Sequence, residues 1–208
     1  MKNVLLIIIV LSYLSLWGCA ASREIKAKST SQRTDVFSEV KDGDSPPSGF
    51  CDLEIVAQFK TTPPGYYPLE SKNPAIYSFV INIDGQSVTW DVSGKPDNTP
   101  RFGANGQRTI EGGEGMRYYL QNKLRLLCGQ HNVFFALSSE NIFKVVEAAL
   151  KKDKMSLLRF NPVYNRGMPK LRQFRTPDHW EGPYYMKGLK DFDVEFLILE
   201  KDIYEVTT

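Results

Sequence analysis

The stretch Ala75-Ile76-Tyr77-Ser78-Phe79-Val80-Ile81-Asn82-Ile83-Asp84-Gly85-Gln86-Ser87-Val88-Thr89-Trp90-Asp91-Val92 decides the fold. Tyr77, Phe79, Ile81 and Ile83 alternate with Ser78 and Asn82, and beyond Asp84-Gly85 the apolar residues Val88, Trp90 and Val92 again occupy every second position. A period of two places such residues on one face of a strand. Asp-Gly between two alternating runs marks a hairpin, because both central positions of its turn need positive φ.

The same period extends outward. In Cys51–Lys60, Leu53, Ile55, Ala57 and Phe59 alternate with Glu54, Gln58 and Lys60. Lys123–Leu127 runs into Cys128-Gly129 and then His131–Leu137, which reads as a second hairpin. Phe143–Leu150 and Met155–Phe160, joined through Asp153-Lys154, read as a third, and Asp193–Lys201 is a further strand. A helix over Phe143–Lys152 would gather Val145, Val146, Ala149 and Leu150, but the alternating run that follows favours a strand. Gly115–Asn122 is less regular and compatible with a helical turn. About eight short strands separated by turn signals define an all-β class, a single β-sandwich over residues 50–208.

Composition narrows the function classes. With 42% hydrophobic and 24% charged residues, the 208-residue chain is not a wholly disordered, collagen-like or polytopic membrane protein. Lys and Arg number 26 against 24 Asp and Glu, and a formal charge of +2 gives no field for a nucleic-acid partner. Two His and three Cys are too few for a metal cluster, and no motif calls for a cofactor.

At the N-terminus Lys2 precedes a 14-residue apolar run, Val4–Trp17, which ends in Gly18-Cys19. Such a run is shorter than the roughly 20 residues that span a bilayer and fits the apolar region of a signal peptide. Leu16-Trp17-Gly18-Cys19 resembles the lipobox of bacterial lipoproteins, with Leu at −3, a small residue at −1 and Cys at +1; Trp17 departs from the small or β-branched residue usual at −2. The resemblance implies removal of residues 1–18, a mature chain starting at Cys19, and a thioether-linked diacylglycerol, usually with an N-acyl group. One myristoyl chain holds a protein only marginally, whereas two or three chains, at about 0.8 kcal/mol per buried CH₂, hold it permanently. Ala20, where Asp would signal inner-membrane retention, implies the outer membrane of a cell envelope.

Residues 20–49 hold ten charged residues and four large apolar ones, Ile25, Val36, Phe37 and Val40. So little apolar surface predicts a flexible linker over residues 19–49, with a reach of roughly 30 Å. A short helix over Thr34–Lys41 is the alternative, since Val36, Phe37 and Val40 share a helical face. With Cys19 acylated, Cys51 and Cys128 remain. An oxidising envelope permits a disulfide between them; two inert buried thiols, or a reactive thiol near His131, are the other readings.

Two long loops are expected. Ser93–Gly115 has six Gly and two Pro in 23 residues but lacks the Gly-Lys-Ser/Thr of a phosphate-binding loop; Glu111 and Glu114 are its carboxylates. Asn161–Asp191 has six Lys/Arg, three acids and five aromatics. Arginine with aromatics is the chemistry of contact surfaces, and Arg172, Arg175, Trp180, Tyr184 and Tyr185 are the candidates for touching an envelope protein or a glycan. Packing of Trp180 and Tyr184 over Phe174, as a plug for the end of the sandwich, is the bland alternative. No nucleophile elbow and no His-Glu-x-x-His is present, so no catalytic residue is assigned. A glycan-active enzyme would need a carboxylate pair such as Glu114 with Asp178 or Glu181, about 5–10 Å apart.

The Gly129 turn followed by His131-x-Val133-x-Phe135 resembles the small envelope β-domains of the PEGA type and related Ig-like sandwiches, although the Pro-Glu-Gly-Ala signature is absent. The resemblance implies a domain that binds or scaffolds. The expectation is therefore a membrane-anchored envelope lipoprotein with a non-catalytic binding or scaffolding module.

Overall fold

The computed structural model describes residues 20–40, 45–61, 76–104, 106, 109–167 and 185–200. In chain order these form α1 (Ala20–Lys28), β1 (Phe37–Glu39), β2 (Phe50–Thr61), β3 (Ile76–Ile83), β4 (Gln86–Ser93), β5 (Lys95–Pro96), β6 (Met116–Leu127), β7 (Gly129–Leu137), a 3₁₀ turn at Ser138–Glu140, β8 (Ile142–Leu150), β9 (Lys154–Gly167) and β10 (Tyr185–Glu200). Sheet A has the order β1-β6-β2-β9-β10, with β5 also on β6; sheet B is β4-β3-β7-β8. All pairings are antiparallel except β2 with β9. The chain is an all-β sandwich, and each of the eight expected strands is present.

Period two sorts the faces. Leu53, Ile55, Ala57 and Phe59 of β2 face sheet B, as do Tyr118, Leu120, Leu124 and Leu126 of β6, and all are buried with Phe79, Ile81, Ile83, Val133, Phe135, Phe160 and Phe192 in one core. Aromatic rings bridge the sheets: Phe135 stacks on Phe160 at 3.7 Å, and Phe59 meets Tyr77 edge-on at 4.9 Å. Such pairs add roughly 0.5–1.5 kcal/mol beyond the area they bury. The alternation carries through Tyr118 and Leu120, so the region expected to hold a helical turn, Gly115–Asn122, is strand from Met116 onward.

Asp84 (φ 47°) and Gly85 (φ 96°) form the expected tight turn between β3 and β4. The other two expected hairpins are corners that change sheet. β6 has β2 on one edge and β1 and β5 on the other, so β7 finds no free edge beside it; β9 is likewise taken by β2 and β10, which excludes β8. Gly129, at φ 148°, takes the first corner, and Asp153, at φ 60°, takes the second. Of the stretch expected as a loop over Asn161–Asp191, the described residues 161–167 and 185–191 are strand, because β9 and β10 pair as a ribbon from Gly167↔Tyr185 onward; residues 168–184 lie outside the described residues. Pro162 is tolerated because β9 leaves β2 after Phe160, which frees that edge of its hydrogen bonds.

The expected linker needs correction where it is described. Residues 20–40 lie on the sandwich, and where a short helix over Thr34–Lys41 was the alternative there is strand β1 instead. Ile25 of α1 packs on Val80, Phe134 and Ala136 on the outer face of sheet B. Asn82 Nδ2 donates to Lys28 O at 2.8 Å, and Gln32 N donates to Gly85 O at 2.8 Å. Gln86 Oε1 accepts from Val36 N (2.7 Å) and Phe37 N (3.1 Å), and β1 then pairs with Leu124–Leu126 of sheet A. Ile25 on the outer face of sheet B, Phe37 and Val36 against the main core, and a series of backbone bonds offset the ordering entropy that composition alone says is unmet.

Cys51 and Cys128 are joined by a disulfide across 77 residues. It ties β2 to the β6–β7 corner, and Cys128 N also donates to Gly49 O at 3.0 Å. The reactive-thiol reading falls with it: His131 is buried, with Nδ1 2.7 Å from Asp84 Oδ2 and Nε2 2.8 Å from Leu127 O. Replacing both cysteines by Ser is expected to lower unfolding stability by about 4 kcal/mol, because a loop of this length regains its entropy in the unfolded chain. Urea denaturation of the double variant against wild type checks this; an unchanged midpoint would show that the crosslink adds nothing.

Candidate functional site

The strand directions place the three longest connections at one end, beside the short Ser138–Glu140 turn. At the disulfide end lie the Asp84-Gly85 turn, the Cys128 corner and Lys151–Asp153, all short. At the other end, β2 stops at Thr61 and β3 starts at Ile76, β4 stops at Ser93 and β6 starts at Met116, and β9 stops at Gly167 with β10 starting at Tyr185. Three long connections therefore share one end, and their roots meet at a cluster of charged side chains.

The cluster is built on Lys60. Even-numbered residues of β2 face away from sheet B, so Lys60 belongs to the outer face of sheet A, opposite Arg117 of β6. It is nevertheless only 1% exposed. The described residues of the 94–115 segment, 94–97 and 111–115 among them, fold back over it, and the glycines there make the approach fit. A Cβ on Gly115 would stand 2.5 Å from both Lys60 Cε and Thr61 O, and Gly113 adopts φ 98°. The ammonium donates to Glu111 O at 3.0 Å and to Gly113 O, and lies 3.5 Å from Asp97 Oδ2. Asp97 Oδ2 also accepts from Arg117 Nε at 2.6 Å, while its Oδ1 accepts from Thr99 N at 3.0 Å. Arg117 Nη1 donates to Glu111 Oε2 at 3.2 Å. Tyr164 of β9 donates to Glu111 Oε1 at 2.7 Å and accepts from Lys60 N at 2.8 Å.

Lys60 and Arg117 thus meet Asp97 and Glu111 largely out of solvent, and the half-exposed Arg101 approaches Glu111 Oε2 at 3.7 Å from the surface. Hydrogen bonds from Thr99, backbone and side chain, and from Arg117 hold the Asp97 carboxyl well below the usual carboxylate range. Burial pulls the Lys60 ammonium down, and Asp97 opposes it. Burial also works against the Arg117 charge, but Asp97 and Glu111 outweigh it and the guanidinium is raised. Burial, with Glu111 beside it, pushes the Tyr164 hydroxyl far up. An ammonium has three donors and Lys60 has three acceptors, so it is no free nucleophile. The arrangement works as a clasp: it fixes the 94–115 segment against β2, β6 and β9. Arg117 Nη2 and Thr109 Oγ1 are buried there without a partner among the described residues.

Of the residues singled out from sequence, Cys51 and Cys128 are brought together. Arg172, Arg175, Trp180, Tyr184, Phe174, Asp178, Glu181 and Cys19 lie outside the described residues. Tyr185 opens β10 opposite Gly167. Glu114 is exposed, whereas Glu111 belongs to the clasp. Sequence reading missed Lys60, Asp97, Arg117 and Tyr164; the nearest signal was the Gly-rich 94–115 segment, which holds Asp97 and Glu111 without saying what they face. Among the described residues, no three His, Cys, Asp or Glu side chains converge on a point that would hold a metal ion, and no helix is long and apolar enough to cross a membrane. Comparison of the chain with protein-family models, with curated proteins and with solved structures finds no match.

The clasp predicts a pH dependence. The folded-state value of Asp97 lies below its value of about 3.9 in the unfolded chain, so its contribution is complete above that pH and is lost as pH falls toward the folded value. Asp97→Asn is expected to destabilise the domain by about 3 kcal/mol at neutral pH, by leaving Lys60 and Arg117 short of charge. It is also expected to flatten the fall of melting temperature between pH 5 and 3. Thermal melts of both proteins across that window check this; parallel curves would remove Asp97 from the acid response.

Proposed function

We propose that the chain is a lipid-anchored protein of a bacterial cell envelope, held at the outer membrane through Cys19, and that its sandwich is a binding or scaffolding module and not a catalyst. The sorting of connections carries this reading. Three long segments leave one end of the sandwich with their roots fixed by a buried clasp, and variable segments on a rigid frame are the usual construction of a recognition surface. One of them contains Arg172, Arg175, Trp180 and Tyr184, and Tyr185 begins the strand that follows. Aromatic rings with guanidinium groups suit a protein surface or a glycan, where rings stack on sugars and Arg pairs with carboxylate or phosphate. The Cys51–Cys128 disulfide suits an oxidising compartment. Leu16-Trp17-Gly18-Cys19 supplies the anchor, and anchoring raises the effective concentration of any partner in the same envelope.

Two measurements test the two halves. Globomycin is expected to leave the precursor unprocessed, and the mass of the mature N-terminus to match acylated Cys19; a leader that persists in untreated cells rules out the anchor. Joint replacement of Arg175, Trp180 and Tyr184 by Ala is expected to abolish in-cell crosslinks to envelope components while the clasp keeps the domain folded. Unchanged crosslinks from a folded triple variant would move the contact surface elsewhere.

A further inference from the structure

The chain between the anchor and the sandwich has no slack. Cys19 is one peptide bond, roughly 3.8 Å between Cα atoms, from Ala20. Ala20 begins α1, and Ile25, one turn further on, is 5% exposed against Val80, Phe134 and Ala136. The segment that follows is bonded in turn to the β3–β4 turn and to sheet A. A sulfur-linked diacylglycerol at Cys19 would therefore be held at the N-terminal end of α1, within about two turns of the residue that docks on the outer face of sheet B.

That face carries an apolar strip beside α1, with Asp91 and Glu147 exposed on the strands outside it. Phe143 stacks on Phe134 at 5.4 Å, and Val145, paired with Phe134 across β7 and β8, is 62% exposed. At 3.6 residues per turn, Arg23 lies about 160° around α1 from Ile25, with Lys26 about 60° from Arg23, while Lys28 ends the helix about 60° from Ile25. All three are exposed, with Glu24 the one acid of the helix. Lysine and arginine reach naturally into a headgroup layer and are attracted to an anionic surface. The outer face of sheet A also exposes apolar residues, Tyr119 and Leu127, but it presents paired ions beside them, Asp52 with Arg125 at 2.8 Å and Arg159 with Glu195 at 3.0 Å, and carries no basic helix among the described residues.

We propose that the outer face of sheet B, with α1 upon it, is the membrane-facing surface, so that the sandwich is mounted flat on an anionic bilayer instead of swinging on a tether. The inference rests on the lipid anchor at Cys19 and adds an orientation to it. With the strands parallel to the bilayer, the clasp end points sideways along the membrane plane, toward partners in the same leaflet.

The test uses the full lipidated chain in vesicles of phosphatidylethanolamine and phosphatidylglycerol at 3:1, with a nitroxide on Val145→Cys or on Tyr119→Cys, the latter on the outer face of sheet A. Collisions with an aqueous nickel chelate should be several-fold rarer at position 145 than at 119. The same labels on soluble Cys19→Ser protein should be equally accessible. Adding Ile25→Asp, which undocks α1 without touching the main core, should raise accessibility at 145 to that at 119 while the protein still floats with the vesicles. Equal accessibility at 145 and 119 in protein that floats overturns the orientation and leaves the anchor standing. Protein that does not float, or Cys19→Ser protein that floats equally well, overturns the anchor and the orientation with it.

Discussion

An ammonium group removed from water must have its hydrogen bonds restored, and this requirement organises the open end of the sandwich. Lys60 recovers them from the carbonyl oxygens of Glu111 and Gly113 and from Asp97. The polypeptide from Gly94 to Gly115 has little apolar surface with which to stick to a sheet, yet it lies on β2 and β6 because its backbone is what solvates the lysine. Asp97 then holds Arg117, Arg117 holds Glu111, and Glu111 receives Tyr164 from β9. An apolar plug of equal volume would be as stable, or more so. It would not fix which carbonyl faces which strand, and fixed geometry is what the base of a recognition surface requires.

The two ends of the sandwich are held by different physics. At the clasp end the ties are a buried network of ion pairs; at the other they are covalent, in Cys51–Cys128, joined by hydrogen bonds around Asp84-Gly85 in which the Asp84 carboxyl accepts from Asn132 N and meets His131. The N-terminal segment uses the second set. It passes from the outer face of sheet B, around the turn, to the free edge of β6, and so connects the sheets, with Phe37 inserted into the edge of the core and Val36 packed beside it. Gln86 serves both directions of this path, accepting from Val36 and Phe37 and donating through Nε2 to Phe37 O at 2.9 Å.

Much of the frame was legible in the sequence. Alternation in Cys51–Lys60 and Tyr77–Ile83, and Asp-Gly between two such runs, are local signals read without knowledge of neighbours. What stayed hidden was non-local. Whether a strand folds back as a hairpin or crosses to the other sheet depends on which edges are vacant, and β1 and β5 fill the edge of β6 with five residues in all, too few for any periodicity to reveal. Ile25 is a single apolar residue among helix formers, and its burial is decided by Val80 and Phe134 far along the chain. Lys60 occupies a position where lysine is ordinarily solvated, and the segment that covers it begins 34 residues later. Tyr164 lay in a stretch whose Pro and Gly content read as loop, because pairing between β9 and β10 overrode local propensity.

Confinement to a surface sharpens a hazard that every open sheet carries, since unpaired edge strands template association and local concentration multiplies the risk. The longest edge here is β10, at 16 residues. Its register slips twice, between Met186 and Gly188 and between Leu189 and Asp191, and such bulges twist an edge away from a flat partner. Further along, Asp191 pairs with Lys144 of sheet B at 2.6 Å, Glu195 with Arg159 at 3.0 Å and Glu200 with Lys154 at 2.5 Å. The Lys144 bridge is more than a decoration, for it crosses from β8 to β10 and closes one flank of the sandwich. Exposed ion pairs of this kind contribute little to stability. Their position along the longest edge strand argues that they act against a second copy, by placing ionic side chains where another strand would have to lie.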